Sequence, residues 1–430
     1  MRVLIVSRGS YRLPVSQGGT DAYALRTATY LIPQGHEVYL VGQGRPGPAF
    51  GEVRFVRVPT DVQVTSRFRA TYFFKGLVLS LASVLTAVKL LRRRDASIDV
   101  IHCNSNLAVL ILKRLYPSSP MVYTLHDPLI QGRSTSWLDR LVRPLNNGLL
   151  ERWALRRADH IIAVSSEIRA QVEQVLGPSS KLTLLYPLSR GHAPRRSASS
   201  PTAGQEGQTP YVLSIGAQAG RKRFDLLIRA LARTKFAVRL VLVGSGPDRP
   251  RLVRTAEECG VADRVVFHSG ISEGEIADLY RGALVYAMAS EREGFPVTLM
   301  EAVLSGTPAL YFTDAETGDL DGFQSDFFRV IRSLGDEEIA RDLDLACSQG
   351  LRRPVDRGHI AQWAQSLFRS PESVAHELVR IYQDAADQLG RSIRPVGEGS
   401  EASLTGGRTG AGWSDEIPGA RVVGDPTRPS

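Results

Sequence analysis

Cysteine is scarce in this chain: 430 residues hold three, Cys103, Cys259 and Cys347. Their wide spacing makes neither a metal-ligand pattern nor a disulfide framework, so a reducing compartment is expected. The loop after the first strand, "SQGGTDAY", carries no G-x-G-x-x-G, which argues against a nicotinamide or flavin enzyme. No Asp-x-Asp stands at a strand end as a metal site would need, and no lysine motif for pyridoxal phosphate is seen. The opening "MRVLIVSRGS" has an apolar run of only Val3 to Val6, which reads as a strand and not as a signal peptide. The basic residues are scattered without interleaved aromatics, so nucleic acid is not an expected partner.

Long apolar runs are also missing, with one exception. "TYFFKGLVLSLASVLTAVKLLRRRD", Thr71 to Asp95, is mostly apolar and ends in Arg92, Arg93 and Arg94. A spanning helix needs about 20 apolar residues, and Lys75 and Lys89 interrupt this one. The first expectation is a helix packed on a sheet. The second is an interfacial helix with its basic end on anionic lipid, and the third is a true span.

What remains is a soluble, globular composition, 43% hydrophobic and 23% charged. Its length suits two domains with extras. A net charge of +9 favours anionic partners such as nucleotides, phosphosugars or acidic lipid. Short runs rich in Val, Ile and Leu ("RVLIVS", "HEVYLVG", "VIHCNS", "MVYTLHD", "HIIAVS") alternate with helical patterns, which predicts a parallel sheet covered on both faces. "SRGHAPRRSASSPTAGQEGQTP" then lacks nearly all large apolar residues, after which the alternation restarts at "YVLSIG". The expected organisation is an α/β fold of two doubly wound, Rossmann-like domains facing a cleft. The boundaries are 1–189, a flexible linker at 190–210, 211–370, a closing helix at 371–390 and a disordered tail at 391–430.

One stretch carries the chemistry. In "EREGFPVTLMEAVLSGTP", residues 291–308, Pro296 suits a first helical turn, and Gly306 with Pro308 ends the helix. Glu293 therefore falls on a strand-to-helix loop and Glu301 inside the helix. The amides of Val297 and Thr298 open that helix, where an anion is favoured. The loop follows the carboxyl end of the strand "LVYAMAS", the edge at which open α/β sheets bind ligands.

The spacing Glu293-x7-Glu301, written "EGFPVTLME", resembles the E-x7-E motif of retaining family 4 glycosyltransferases of GT-B fold, and the similarity spans Met1 to about Leu389. The resemblance implies that Glu293 meets hydroxyls of the donor sugar near its anomeric centre. Gly294 and Phe295 would lie beside that sugar, Glu301 would hold the ribose, and Val297 and Thr298 the diphosphate. In "GAQAGRKRFDLL" it places Lys222 and Arg221 on the diphosphate, where charge grows as the glycosidic bond breaks. In "SQGGTDAY" it sets Gly18 and Gly19 near the donor phosphate, and in "YTLHDP" it sets His126 against the sugar. His102 would shape the acceptor side, and Arg223 would be only solvated in this reading of "GRKRF".

The chain departs from the family's pattern in three places. Ala217 follows Gly216 where many members have Arg, so either Arg221 takes its place or donor affinity is weak. "YPLSRG" puts Leu188 and Ser189 where the family has a Pro-Asn-Gly turn, and "YFTDAETG" puts Thr313 and Asp314 at a strand end. The function implied is transfer of a hexosyl group from a UDP- or GDP-linked nucleotide sugar to a glycan or lipid-linked acceptor, with retention and without a metal or other cofactor. The leaving phosphate would serve as base. The place implied is the cytoplasm, or the inner face of a membrane with an anionic surface. A nucleotide-sugar epimerase, a phosphorylase and a catalytically impaired scaffold on the same fold are the rival readings.

Overall fold

The structure, a computed structural model, describes residues 1–7, 12–13, 19–44, 50–59, 69–93, 97–129, 148–189, 191, 209–291, 293–352 and 356–391, with side chains left out at 12–13, 69–76 and 351–352. Gly18, nearly all of the expected linker and nearly all of the expected tail lie outside the described residues.

Two parallel sheets organise the chain. The first holds β1 (Arg2–Val6), β2 (Arg12–Leu13), β3 (Glu37–Gly44), β4 (Arg54–Arg57), β5 (Val100–Cys103), β6 (Met121–Leu125), β7 (His160–Ala163) and β8 (Leu182–Leu184). Its order is β2-β3-β1-β5-β6-β7-β8, with β4 on β3. The second holds β9 (Tyr211–Ile215), β10 (Arg239–Val243), β11 (Val265–His268), β12 (Val285–Met288), β13 (Ala309–Phe312) and β14 (Phe328–Ile331), in the order β11-β10-β9-β12-β13-β14. In both, the order reverses direction beside the first strand, which makes a crevice at the carboxyl ends.

The alternation along β1 explains the layering. Leu4 and Val6 enter one apolar cluster, Val3 and Ile5 another, so helices cover both faces. The same split divides Leu240 and Leu242 from Val241 and Val243 on β10. One cluster is continuous across the sheets. It runs from Leu4 and Tyr123 through Ile168 to Phe295, Leu299 and Tyr286.

The helix Pro371–Asp387 returns to the first sheet. Leu378, Ile381 and Tyr382 are buried with Val3, Ile5, Val100 and Val122. The chain therefore crosses between the sheets twice. The strand β14 was not visible in the residue pattern, because the polar Arg329 and Arg332 break "FFRVIRS".

The apolar run from Thr71 becomes the helix Arg69–Leu91. Leu79, Val84, Ala87 and Leu90 are buried, the last three in the cluster under β1 and β3, as the sheet-packed reading expects. Leu77, Val78, Leu81 and Leu85 are exposed on it. Among the described residues, no helix is long and apolar enough to cross a membrane.

Candidate active site

The site is built where the loop after β12 meets the end of β6. The helix Val297–Leu304 begins one residue later than the sequence reading has it, with Pro296 as its cap. Just before it, Gly294 packs so tightly on the first sheet that an added Cβ would lie 1.7 Å from the backbone oxygen of His126. That contact presents the Glu293 carboxylate to the cleft beside His126.

Two cations hold Glu293. Lys222 Nζ donates to Oε1 at 2.5 Å, and Arg221 Nη1 lies 3.4 Å from Oε2. Both come from the single turn Gly220–Lys222, which follows β9. Arg223 closes that turn at φ 46°, a left-handed conformation rare for a residue with a side chain. The amide of Glu291 donates to Arg221 O at 2.8 Å and fixes the turn to the Glu293 loop. Burial alone would push the Glu293 carboxyl up, but Lys222 and Arg221 outweigh it and hold the group down at about 2. Burial pulls the Lys222 ammonium below its ordinary range, with Glu293 opposing. Arg223 is 3.4 Å from Asp314 and so is not merely solvated.

Glu301 lies inside the helix with its side chain 5% exposed. Tyr280 Oη donates to its Oε2 at 3.2 Å. Arg26, from the helix Thr20–Leu31 of the first sheet, places Nη1 2.5 Å from Oε1. Thr298 is buried; its hydroxyl accepts from Tyr286 and its carbonyl from Tyr280. The Val297 amide turns onto Phe295 O at 3.0 Å.

His126 Nε2 is 2.8 Å from Asn104 Oδ1, and its ring stands edge-on to Tyr23 with centroids 4.7 Å apart. His102 differs. It is fully buried between Tyr382 Oη and Thr124 Oγ1, each at 2.7 Å, and burial pushes its pKa down to about 3. It is a core histidine, sealed from the surface. Gly19 caps the first helix at φ 132°, a region open chiefly to glycine. Phe295 lines an open depression with Glu293, Gly294, Glu167 and Glu316, and its ring packs on Tyr186 with centroids 5.1 Å apart. The structure thus brings Glu293, Lys222, Arg221, Gly294 and His126 together, while Glu301 is buried in the following helix between Arg26 and Tyr280.

The models of two families match the chain: Glycosyltransferase Family 4 over residues 17–188, and Glycosyl transferases group 1 over residues 196–317. The chain is a family 4 glycosyltransferase. Its sequence is 24% identical over 415 residues to the MMP alpha-(1->4)-mannosyltransferase of Mycolicibacterium hassiacum, which covers 90% of this chain and 98% of that protein. The sucrose-phosphate synthase of Thermosynechococcus elongatus superposes with a TM-score of 0.72 at 19% identity, over 90% of this chain and 99% of that one. HepE of Anabaena, solved in complex with UDP and glucose, gives 0.66 at 17% identity, over 88% and 98%. These likenesses establish the GT-B fold.

In this family 4 glycosyltransferase three contacts at the cleft escaped the sequence reading. Arg26 reaches Glu301, the Ser166 amide donates to Asp319 Oδ2 at 2.8 Å, and Asn104 meets His126. Two of the three join residues on opposite sides of the cleft, where no local spacing signals a partner.

Proposed function

We propose that this glycosyltransferase moves a hexosyl group from a UDP- or GDP-linked sugar to an acceptor hydroxyl, with retention. The observation that carries the reading is the Glu293 carboxylate held between Lys222 and Arg221 against the His126 strand end. Lys222 and Arg221 meet the charge that builds on the departing diphosphate. Glu293 and His126 take hydroxyls of the sugar, and Glu301 takes the ribose. As the bond from the anomeric carbon to the diphosphate oxygen breaks, the acceptor oxygen bonds to that carbon. The acceptor's proton passes to the leaving phosphate. No divalent ion is needed where two side-chain cations meet that charge. The mannosyltransferase relative supports a hexose, and the neighbour bound to UDP and glucose supports a nucleoside diphosphate.

Thermal unfolding against UDP, GDP and ADP tests the donor site. One nucleotide at a hundredfold excess over its dissociation constant should add about 2.7 kcal/mol of stability, and Glu301→Ala should lose the gain. No gain with any nucleotide would overturn the reading.

We infer that the acceptor lies at an anionic membrane face. Leu77, Val78, Leu81 and Leu85 form an exposed apolar stripe, and Arg92 and Arg93 follow it. Sedimentation with anionic liposomes at low salt should carry the protein down, and Leu81→Glu with Leu85→Glu should leave it in the supernatant. Equal sedimentation of both proteins, or of neither, would remove the membrane from the proposal.

A further inference from the structure

His126 follows β6 directly, and its ring is held by two neighbours from other elements. Tyr23, on the helix Thr20–Leu31, stands edge-on to it. Tyr23 is itself fixed. It is buried, and its Oη lies 3.4 Å from Thr124 Oγ1, which meets His102 Nε2 at 2.7 Å. His102 Nδ1 in turn meets Tyr382 Oη, on the helix that returns from the far end of the chain. The second neighbour is polar. Asn104 follows β5, is only 4% exposed, and sets Oδ1 2.8 Å from His126 Nε2.

The direction of that hydrogen bond follows from the other end of the same amide. Asn104 Nδ2 lies 3.4 Å from the carbonyl oxygen of Val6, the last residue of β1. A carbonyl oxygen only accepts, so the NH2 group faces Val6 and the amide oxygen faces the ring. Turning the amide over would set two buried oxygens against each other and lose a donor there. The amide oxygen also only accepts, so His126 Nε2 must carry a proton. In the neutral imidazole the lone pair then belongs to Nδ1.

We propose that Asn104 is a positioning residue: it holds the His126 proton on Nε2 and makes Nδ1 an acceptor, so that the ring takes the donor sugar through a hydroxyl that donates to it. This rests on the reading above that His126 meets the sugar. Glu293, ionised beside it, also only accepts. The two side chains together read hydroxyl protons on the sugar, while Lys222 and Arg221 donate to the diphosphate. A nucleotide sugar without a hydroxyl proton at the matching carbon cannot make the bond and is rejected. Asn104 acts through His126 and not on the reacting atoms.

NMR of labelled histidine ring nitrogens tests this. The two nitrogens of one imidazole resonate far apart in a fixed tautomer and draw together when tautomers exchange. At about pH 8.5, well above the ordinary histidine pKa, the pair that is missing in His126→Ala should show its proton on Nε2. Asn104→Leu removes the acceptor at nearly equal size and should draw the pair together. Its kcat with UDP-glucose or GDP-mannose, whichever the wild type turns over, should fall about tenfold, the worth of one hydrogen bond, with affinity for the nucleotide unchanged. A wild-type ring with its proton on Nδ1 overturns the proposal without any variant. So does an Asn104→Leu protein that keeps the wild-type tautomer or the wild-type kcat. Asn104→Ala takes its place if circular dichroism shows that variant unfolded. His126→Ala separates the two failures. If it turns over as the wild type does, His126 does not meet the sugar. If it is slow while Asn104→Leu matches the wild type, the sugar reading stands and only the role of Asn104 is wrong.

Discussion

Glu293→Gln is expected to lower transfer by about two to three orders of magnitude, the usual loss when one preorganised polar group is removed from a reacting centre. Affinity for the nucleotide should not fall with it. The substitution frees Lys222 and Arg221 from their carboxylate, and both then face the diphosphate with full charge. The kinetic signature is a collapsed kcat with an equal or lower donor KM. Stability should fall as well, by about 3 kcal/mol, because Lys222 is left 12% exposed without its counter-charge. The pH dependence has a definite sign. The Glu293 carboxyl is held at about 2 in the fold against an ordinary value of 4.5, so its contribution is complete above the ordinary value and is lost as pH falls toward the lower one. Melting temperatures of wild type and Glu293→Gln should differ at neutral pH and converge near pH 2. A gap that stays constant down the whole range would mean that the carboxylate's charge is not what stabilises the loop.

The reach of the sequence follows the range of the interactions. Strands with buried Val, Ile and Leu declare themselves locally, and so both sheets were legible apart from short strands such as β14, where arginines interrupt the pattern. The E-x7-E spacing was legible for the same reason. A loop acid and a helix acid on one continuous stretch need no knowledge of the rest of the chain. The two histidines show where that ends. His102 and His126 both stand at the carboxyl ends of neighbouring strands and look alike in sequence. His102 is sealed by Tyr382, which arrives on a helix that returns from the far end of the chain, while His126 stays half-buried at the cleft. The ring of Phe295 packs among Tyr186 and Phe368, one at each crossing between the sheets, and no local spacing signals those partners. Arg26 was invisible for a related reason. Its partner is set by how the halves meet, and helical periodicity records only one half at a time.

Gly294→Ala is expected to be nearly as damaging as the loss of Glu293, although it removes no chemical group. The methyl would stand 1.7 Å from the His126 carbonyl oxygen and 2.9 Å from its carbon, where contacts under about 3 Å do not occur. Neither neighbour can swing aside, since both are backbone at the end of β6. The strain must be relieved by moving the Glu293 loop away from the first sheet by an ångström or more. A displacement of that size at a reacting centre costs about a hundredfold in rate, and the overpacking costs about 1–3 kcal/mol in stability. The variant should still fold, because much of each sheet's core lies in a cluster of its own, away from this contact. Gly322→Ala is the control, for a Cβ there meets nothing within 4 Å. Transfer rates and melting temperatures of the two variants decide the matter. If Gly294→Ala is as active as Gly322→Ala, the tight seat of the Glu293 loop on the His126 strand end is not what aligns the site. If it is folded but slow, the glycine is needed because two backbones must touch for Glu293 and His126 to face one substrate.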